Sequence, residues 1–294
     1  MEKPITVRAR SAPACSVSLS QGLPDRSSPL REIALLPLRL VYSTYAALLF
    51  LLVGFCALWG ALLLPGLKRR RRAARMLARA FLRGAGMRLT LQALDRLPSG
   101  QCVIVANHAS YLDGLVFTAA LPPRFGFVIK REMARVPLAG WFLHRIGSEF
   151  VERFDRKRGA ADALRVLRNA TNGDSLVFFP EGTFTPEPGL LKFHTGAFAT
   201  AARAGCPIVP AVVRGTRAAL SPRGDLPRPV GIEVTILPPI VPPPGAPPHS
   251  ASLLRDQARD AILAVLGEPD LTCCGDSDRP LHTEHARSAP ASRS

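Results

Sequence analysis

The chain has 294 residues, of which 47% are hydrophobic, and its 38 basic and 22 acidic side chains give a formal net charge of +16. That length allows one large domain with a buried core and appended segments. The charge calls for an anionic partner, either nucleic acid or a lipid surface. The six cysteines form no paired framework and no CxxC pair, which argues against a disulfide scaffold or a CxxC metal site and suits a reducing cytoplasm.

The first 30 residues are rich in serine, proline and arginine and contain no apolar core. This composition predicts disorder over residues 1–30 and argues against a cleavable secretory signal. We therefore expect the apolar stretch that follows to stay in the protein as an anchor.

An uncharged stretch at residues 41–64 precedes a basic run, in which nine basic residues and no acidic one lie between Lys68 and Arg88. About 20 apolar residues suffice to cross a bilayer. A polybasic segment beside such a stretch is typical of contact with anionic headgroups on the cytoplasmic face, at about 1 kcal/mol per charge. A membrane therefore explains both features. Nucleic acid would explain only the charge, and the run lacks the interleaved aromatic residues that stack on bases.

The basic run also has helical periodicity. Four arginines follow helical spacing, and apolar or small residues fall between them on the other side: Arg72, Arg75, Arg79 and Arg83 against Met76, Leu77, Ala80, Phe81 and Gly84. This pattern predicts an amphipathic helix at the membrane interface, as part of a membrane segment at residues 31–86. The alternative is a charged solvent face on a helix that packs on the protein's own core. Gly54, Gly60 and Pro65 leave open whether the apolar stretch spans the bilayer or enters and returns.

Short apolar runs then alternate with helical segments through residues 87–267, which we interpret as one catalytic domain. Strands are predicted at residues 89–93, 103–106, 125–129, 149–151, 176–179, 208–213 and 232–236. Helices are predicted at residues 111–120, 138–146, 156–170, 197–204 and 252–266. The alternation predicts an α/β fold, a single mixed sheet flanked by helices and preceded by the membrane-associated helical segment. Residues 268–294 are predicted to be a disordered tail.

The first polar motif, NHASYLDG at residues 107–114, directly follows an apolar strand. Ser110 and Asp113 have the Ser-x-x-Asp spacing of a capping box, which predicts a helix from Tyr111 with His108 in the loop before it. His108 and Asp113 can then meet across the first turn, where the carboxylate holds one tautomer and leaves the other ring nitrogen free as a base. The alternative is that Asp113 only caps the helix and His108 only packs beneath it.

Two further motifs end later strands, where ligands of α/β sheets bind. In GSEFVER, Arg153 stands at the rim of a short strand, and a guanidinium can hold a phosphate through two parallel hydrogen bonds. A solvated surface arginine beside Glu152 would have the same sequence. In FPEGTFT, Glu181 is fixed between a proline and a glycine and can orient a substrate hydroxyl, although PEGT alone also describes an ordinary turn.

Together and in this order, NHxxxxD, GxxFVxR, FPEGT and PIVPAVV resemble the four motif blocks of the 1-acylglycerol-3-phosphate acyltransferase family, the lysophospholipid acyltransferases, over residues 85–240. The matching positions are His108, Asp113, Gly147, Phe150, Arg153, Pro180, Glu181, Gly182, Thr183 and Pro210. Many members have arginine directly after Glu-Gly-Thr, where this chain has Phe184. One candidate phosphate contact is therefore missing, which leaves the acceptor open.

The resemblance implies acyl transfer from acyl-CoA or acyl carrier protein to the free hydroxyl of a lysophospholipid. The acceptor it favours is 1-acylglycerol-3-phosphate, which would give phosphatidic acid in phospholipid biosynthesis. His108, oriented by Asp113, would take the hydroxyl proton without a covalent enzyme intermediate. Arg153 would bind the acceptor phosphate, and the further candidates for this contact are Lys130, Arg131 and Lys192.

The remaining motif residues are implied to bind substrate. Glu181 would orient the glycerol, and backbone amides near Gly182 and Thr183 could stabilise the developing oxyanion. Gly147 and Phe150 complete the predicted acceptor site. The resemblance implies no metal and no bound cofactor, since the acyl donor is a co-substrate.

Membrane lipids with anionic headgroups and an acyl donor are thus the expected partners, with no nucleic acid. The expected location is the membrane, with the catalytic domain on the cytoplasmic face, the inner membrane if the source is bacterial. Three alternatives stay open: a different lysolipid acceptor, such as an amino-acid-containing lysolipid; a non-catalytic membrane lipid-binding protein; and a serine hydrolase that uses Ser110. The last lacks a GxSxG motif anywhere in the chain.

Overall fold

The computed structural model describes residues 29–151, 175–243 and 250–272. The chain divides into two compact units, residues 1–38 and residues 39–294. The helices of the described residues are α1 (Pro29–Leu63), α2 (Leu67–Gly84), α3 (Asp113–Ala120), α4 (Ala139–Arg145), α5 (Gly196–Ala204), α6 (Thr216–Ala219) and α7 (Ser250–Leu266). Two short 3₁₀ turns lie at Leu94–Arg96 and Arg131–Arg135.

Seven strands of the described residues form one sheet. They are β1 (Leu89–Gln92), β2 (Val103–Ala106), β3 (Phe125–Lys130), β4 (Glu149–Val151), β5 (Ser175–Phe178), β6 (Ile208–Arg214) and β7 (Ile232–Ile236). Their order across the sheet is β1-β7-β6-β2-β5-β3-β4. β7 is antiparallel to β6, and the other neighbouring pairs are parallel. The predicted fold class, a single mixed sheet flanked by helices after an apolar helical segment, is confirmed.

Alternate side chains of the central strand β2 enter two different cores, one on each face of the sheet. Ile104 is fully buried in the core that includes Phe81 of α2 and Phe117 of α3. Val105 is equally buried in the core that includes Phe198 of α5 and several residues of α7. Because both faces are covered, β2 is a continuous apolar run, as expected of a strand in a parallel part of a sheet.

The strand predictions agree with the structure to within one residue at each end. The helix predicted at residues 111–120 begins two residues later, at Asp113, because Tyr111 and Leu112 form a turn. The helix predicted at residues 156–170 lies outside the described residues, and so do residues 1–28.

Ordered chain continues past residue 268, where the tail was predicted to begin. The Leu190 N–H donates to Pro269 O at 2.9 Å, and the Leu271 N–H donates to Leu190 O at 3.1 Å. The Leu271 side chain lies against Gly189, where any Cβ would collide with it. Residues 268–272 therefore bind the segment that follows β5, and residues 273–294 lie outside the described residues.

From residue 39 onward, α1 packs against α2 as a helical hairpin. The Tyr42 hydroxyl donates to Ala85 O at 2.8 Å, and the rings of Phe50 and Phe81 meet edge to face with centroids 5.6 Å apart. The part of α1 at Leu35–Leu63 is long and apolar enough to cross a membrane by length and composition, and only 11% of its most apolar window is buried. This helix therefore presents a large apolar surface outward.

The arginines of α2 do not all face outward. The prediction that they form one outward face of the helix is therefore wrong for two of them. Arg79 Nε donates to Ala119 O at 2.8 Å, and Arg75 binds the same end of α3. Cations are favourable at the carbonyl end of a helix, so these two arginines hold α2 to α3. The exposed positions of α2 are Lys68, Arg69, Arg72, Met76, Ala80, Arg83 and Gly84.

Candidate active site

The first motif forms the centre of the candidate site. Strand β2 ends at Ala106 and α3 begins at Asp113, so the residues between them form a short loop at the carboxyl end of the strand. In this loop His108 Nδ1 lies 2.7 Å from Asp113 Oδ2. The Asp113 side chain is 0% exposed and the His108 side chain 19% exposed. A carboxylate that accepts from Nδ1 places the imidazole lone pair on Nε2, the arrangement that a general base needs.

Asp113 also holds the loop itself. Its Oδ2 accepts the Ala109 N–H at 2.7 Å and the Ser110 N–H at 2.9 Å, in addition to the imidazole. The other oxygen, Oδ1, is buried and has no hydrogen-bond partner among the described residues. The two interpretations of the motif are therefore compatible, because one carboxylate oxygen both caps the turn and orients the imidazole.

Ser110 is not the N-cap of α3, which begins at Asp113, but it has the predicted capping-box contact with Asp113, whose Oδ2 accepts the Ser110 N–H. The Ser110 hydroxyl donates to Leu220 O at 2.7 Å and accepts the Leu112 N–H at 3.2 Å. The residue is 0% exposed. A buried hydroxyl with both a donor and an acceptor contact is not placed as a nucleophile, which argues against the serine hydrolase.

Asn107, which the sequence analysis did not select, anchors the loop to the neighbouring strand. Its Nδ2 donates to Val213 O at 3.0 Å, and its Oδ1 accepts the Val213 N–H at 2.8 Å. The side chain thus extends the pairing of β2 with β6 by one residue. The signal was present in the sequence, since an amide side chain directly after an apolar strand can imitate a peptide group.

Glu181 is buried, with 4% exposure, and contacts the His108 loop from the end of β5. Its Oε1 accepts the His108 N–H at 2.6 Å, and its Oε2 accepts the Leu191 N–H at 2.9 Å. Burial raises the pKa of this carboxyl to about 7, partly offset by the two backbone donors. In this structure the carboxylate holds two backbone segments together, and its predicted contact with glycerol stays a prediction.

The turn after Glu181 brings Gly182 and Thr183 to the same edge of the sheet. Gly182 has φ +75°, a conformation that favours glycine, and its N–H donates to Phe179 O at 3.1 Å. That amide is therefore engaged within the turn, which weakens its assignment to the oxyanion. Thr183 is exposed.

Aromatic rings enclose the imidazole. The Phe179 ring stacks on His108 with centroids 4.5 Å apart and an interplanar angle of 22°. Phe184, at the position where many family members have arginine, meets His108 edge-on at 4.5 Å and also contacts Tyr111 at 4.8 Å. Phe184 thus forms part of the wall around the base.

The second motif lies farther along the sheet. Gly147 (φ +72°) precedes β4 and accepts a hydrogen bond from the buried Arg71 Nη2 at 3.1 Å, so it serves α2 packing. Phe150 pairs with Ile129 in the edge strand β4. Arg153 lies outside the described residues. Because β4, β3, β5 and β2 are parallel, the end of β4 shares an edge of the sheet with the His108 loop.

A cluster behind Glu181 was not predicted. Arg259 of α7 pairs with Asp270 at 2.6 Å and donates to Leu190 O and Leu191 O, next to the amide that binds Glu181. The pair holds the pKa of the Asp270 carboxyl well below its usual range. Since both charged residues lie far from the motifs in sequence, no local pattern indicates that they support the site.

Among the alternative phosphate candidates, Lys130 pairs with Glu132 at 3.2 Å. Arg217 of α6 lies close enough to Glu181 to lower its pKa, although it also pairs with Glu268 at 2.8 Å.

In the described ranges no group of three or more His, Cys, Asp or Glu side chains is placed to hold a metal ion. The expectation that no metal or cofactor is needed stays a prediction.

Comparison with known proteins places these motifs in a family. The family model described as Acyltransferase matches residues 88–214. The chain is 37% identical over 130 residues to the chloroplastic 1-acyl-sn-glycerol-3-phosphate acyltransferase BAT2 of Brassica napus, which covers 43% of this chain and 37% of that protein. It is 30% identical over 195 residues to the Saccharomyces cerevisiae 1-acyl-sn-glycerol-3-phosphate acyltransferase, covering 63% of this chain and 64% of that protein. The chain thus spans little more than a third of the Brassica napus protein and just under two thirds of the Saccharomyces cerevisiae protein.

A longer match comes from the 1-acyl-sn-glycerol-3-phosphate acyltransferase alpha of Mus musculus, which is 31% identical over 200 residues, 66% of this chain and 68% of that protein. The crystal structure of the 1-acyl-sn-glycerophosphate acyltransferase from Thermotoga maritima has the same fold, with a TM-score of 0.62 at 20% identity, covering 80% of this chain and 97% of that one. The resemblance found in the motifs is confirmed: the chain belongs to the 1-acylglycerol-3-phosphate acyltransferase family.

Proposed function

We propose that the protein transfers an acyl chain from acyl-CoA or acyl carrier protein to the free hydroxyl of 1-acylglycerol-3-phosphate, giving phosphatidic acid for phospholipid synthesis. The observation that supports this most strongly is the 2.7 Å contact between His108 Nδ1 and the buried Asp113 carboxylate. The names of the relatives supply the substrate class.

In this mechanism His108 is the general base. Its Nε2 takes the proton of the acceptor hydroxyl while that oxygen attacks the thioester carbonyl carbon. The tetrahedral oxyanion then collapses, the C–S bond breaks, and the imidazolium returns the proton to the departing thiolate. The enzyme ends in its starting protonation state, and no covalent enzyme intermediate forms.

The surroundings of His108 favour that proton transfer. The Asp113 carboxylate stabilises the imidazolium that forms during attack, as in other histidine–carboxylate pairs. The rings of Phe179 and Phe184 cover two sides of the imidazole and restrict water around it. In such a region of low dielectric the attraction between imidazolium and carboxylate is stronger than in water.

Arg153 is the proposed ligand of the acceptor phosphate. β4 ends at Val151 at the same edge of the sheet as β2, three strands away. Neighbouring strands are about 4.8 Å apart, so the two ends are separated by about 14 Å. Arginine suits this position, because it has a long side chain and a fork of donors that matches phosphate oxygens.

One observation favours a second acceptor within the same reaction type. The aromatic ring of Phe184 directly follows Glu-Gly-Thr, where the family pattern described above often has arginine, and it contacts His108 directly. An acceptor with a less charged or larger headgroup, such as an amino-acid-containing lysolipid, would fit such a wall better than a phosphate would.

The helical hairpin gives the proposed membrane contact. α1 presents an apolar surface, but it packs along α2, whose exposed positions include Lys68, Arg69, Arg72 and Arg83. A lysine or arginine at the centre of a bilayer costs about 2.5–3.5 kcal/mol on insertion scales. We therefore infer that α1 lies in the interface of one leaflet beside α2, on the cytoplasmic side where anionic headgroups attract the basic residues.

The test is an acyl-transfer assay of the purified full chain in lipid vesicles. Labelled acyl-CoA and acyl carrier protein donors would each be offered with lysophosphatidate, other lysophospholipids and amino-acid-containing lysolipids. Transfer to lysophosphatidate that is lost in His108→Ala would support the proposal. Transfer only to another lysolipid would replace the acceptor and keep the mechanism, and no transfer to any acceptor would leave the non-catalytic lipid-binding alternative.

A further inference from the structure

A second apolar surface lies on the catalytic domain, outside the helical hairpin. The side chains of Met133, Val136, Leu138 and Trp141 are 39%, 42%, 66% and 42% exposed, and we call these four residues the 133–141 patch. Elsewhere in the described residues beyond α1, the large exposed apolar side chains are Met76, Tyr111, Val241 and Leu253, each separate in sequence from the others. Single exposed apolar residues are ordinary on a protein surface, whereas a group of four marks an interaction site.

The backbone of the patch is held firmly. The Gly140 N–H donates to Val136 O at 2.8 Å, and the Phe142 N–H donates to Leu138 O at 2.8 Å. Gly140 packs so closely on the Ala134 carbonyl that a Cβ would collide with it. These contacts display the apolar side chains on a fixed turn, unlike a loose loop that could fold them inward.

Leu138 has an unusual conformation for its residue type. Its φ is +60°, in the region that glycine adopts easily and that a residue with a branched side chain avoids. With 66% of the residue exposed, no buried contact of its own side chain accounts for this strain. Strained backbone is retained where the surrounding structure enforces it, and it occurs often at functional positions.

The patch is continuous with the end of α1. Arg145, one turn after Trp141 on α4, donates from Nη2 to Ala61 O at 2.9 Å and from Nε to the same oxygen at 3.1 Å. Its guanidinium carbon lies 5.7 Å from the centre of the Trp141 ring. The exposed Leu62 therefore lies beside this contact, and the apolar surface of α1 extends through Arg145 to Trp141.

The charges around the patch fit an anionic lipid surface. Residues 136–143 are uncharged, and the flanking residues at 130–135 and 144–145 include four basic side chains and one acidic side chain. Tryptophan and arginine are typical of the headgroup level of a membrane, since each has an apolar body and a polar end. A protein partner could also bind an apolar surface of this kind. It would have to approach the patch next to α1, which the proposed function places in lipid.

From this continuity and charge we propose that the 133–141 patch is a second membrane contact, in which Leu138 and Trp141 enter the headgroup region of the same leaflet that holds α1. The contact rests on the membrane association in the proposed function. Together with α1 it would hold the catalytic domain against the bilayer at two points and so fix its orientation toward lipid substrates.

The chain contains two tryptophans, Trp59 in α1 and Trp141 in the patch, which allows a direct test. The full-length Trp59→Phe variant, with Trp141 as its single reporter, would be reconstituted in vesicles of phosphatidylcholine and phosphatidylglycerol. The phosphatidylcholine would be brominated either near the glycerol end or near the methyl end of its acyl chains. We expect quenching of Trp141 emission by the shallow bromines, weaker quenching by the deep ones, and a blue-shifted emission relative to detergent micelles.

Two controls make the result specific. Trp141→Phe leaves Trp59 to report on α1, which is expected to be quenched as well. Leu253→Trp, in a chain that also has Trp59→Phe and Trp141→Phe, places a reporter at an exposed leucine of α7 outside the patch, where no quenching is expected.

Quenching of Trp59 without quenching of Trp141 would overturn the second contact and leave the membrane association of α1 intact. A Trp141 emission that responds to acyl carrier protein in micelles, and not to brominated lipid, would also overturn it, because the patch would then be a protein-docking surface. The quenching does not depend on turnover, so it separates the failure of this inference from a failure of the proposed acyl transfer.

Discussion

The backbone N–H of His108 donates a 2.6 Å hydrogen bond to Oε1 of Glu181. The bond joins the first and third motifs of the family pattern, which are 73 residues apart. The other carboxylate oxygen of Glu181, Oε2, accepts the Leu191 N–H, and Leu191 O accepts a hydrogen bond from Arg259 of α7. The position of the base therefore depends on a chain of contacts that reaches the C-terminal helix, and Glu181 acts at least in part through the loop that it supports.

Replacing the base tests the centre of the mechanism. His108→Ala should lower acyl transfer by about 10²–10⁴ or more, because the imidazole is the group placed to take the hydroxyl proton. The measurement is initial rate with labelled donor in vesicles, alongside circular dichroism to show retained fold. The matched control is His144→Ala, an exposed histidine of α4, which should keep its rate. Turnover of His108→Ala equal to that of the unmodified protein would refute the mechanism.

Ser110→Ala separates acyl transfer by a histidine base from serine hydrolysis. The hydroxyl lies buried between Leu220 O and the Leu112 N–H, so its loss should cost about 1 kcal/mol of stability. The rate per folded molecule should stay within a few fold of the unmodified value. Thermal unfolding and the transfer rate would be measured on the same samples. Complete inactivation with unchanged stability would instead point to a nucleophilic serine.

The pKa of Glu181 predicts a pH dependence of stability. The folded-state pKa of about 7 lies above the ordinary value of 4.5, so the folded protein binds more protons between these pH values. Stability should therefore fall as pH rises from about 4.5 to about 7, by roughly 3 kcal/mol from this group alone. Glu181→Gln should remove that part of the slope, although its amide has a single acceptor oxygen and can accept only one of the two N–H groups that the carboxylate binds. Parallel pH profiles of unfolding in micelles for both proteins would contradict the assignment.

Arg153→Ala tests the phosphate contact. It should raise the apparent KM for lysophosphatidate more than the KM for the acyl donor, since a charge-assisted fork to phosphate contributes to acceptor binding. Both constants would be measured at saturating levels of the other substrate. Arg203→Ala is a suitable control, because Arg203 is an exposed cation of α5 outside the motifs. An equal increase in the KM of both substrates would show that Arg153 does not bind the acceptor phosphate.

The arginines of α2 should fall into two classes. Arg72→Gln and Arg83→Gln, at exposed positions, should each weaken binding to anionic vesicles by about 1 kcal/mol in a salt-dependent way, with stability unchanged. Arg79→Gln should instead lower the free energy of unfolding by about 1 kcal/mol, because it loses the bond to Ala119 O. Vesicle co-sedimentation at low and high salt and thermal unfolding would be compared. An effect of Arg79→Gln on vesicle binding as large as that of Arg72→Gln would contradict the division.

Much of the fold and the centre of the site follow from local patterns in the amino-acid sequence. The continuous apolar run of β2, which is buried on both faces, and the alternating pattern of β7 predicted the bounds of these two strands. The spacing of His108 and Asp113 indicated their contact correctly, because only one short turn separates them. Local chemistry of this kind can be inferred wherever the interacting groups lie within a few residues.

The contacts that hold the site in place join residues far apart in the sequence and are visible only in the folded chain. Asn107 binds Val213 across 106 residues, Ser110 binds Leu220 across 110, and Glu181 binds the His108 backbone across 73. Helical periodicity placed Arg79 on an outer face, yet the end of α3 40 residues later supplies the carbonyl that it binds. A side chain with a free donor or acceptor has many possible partners in the sequence, and only the folded arrangement of strands and helices selects one of them.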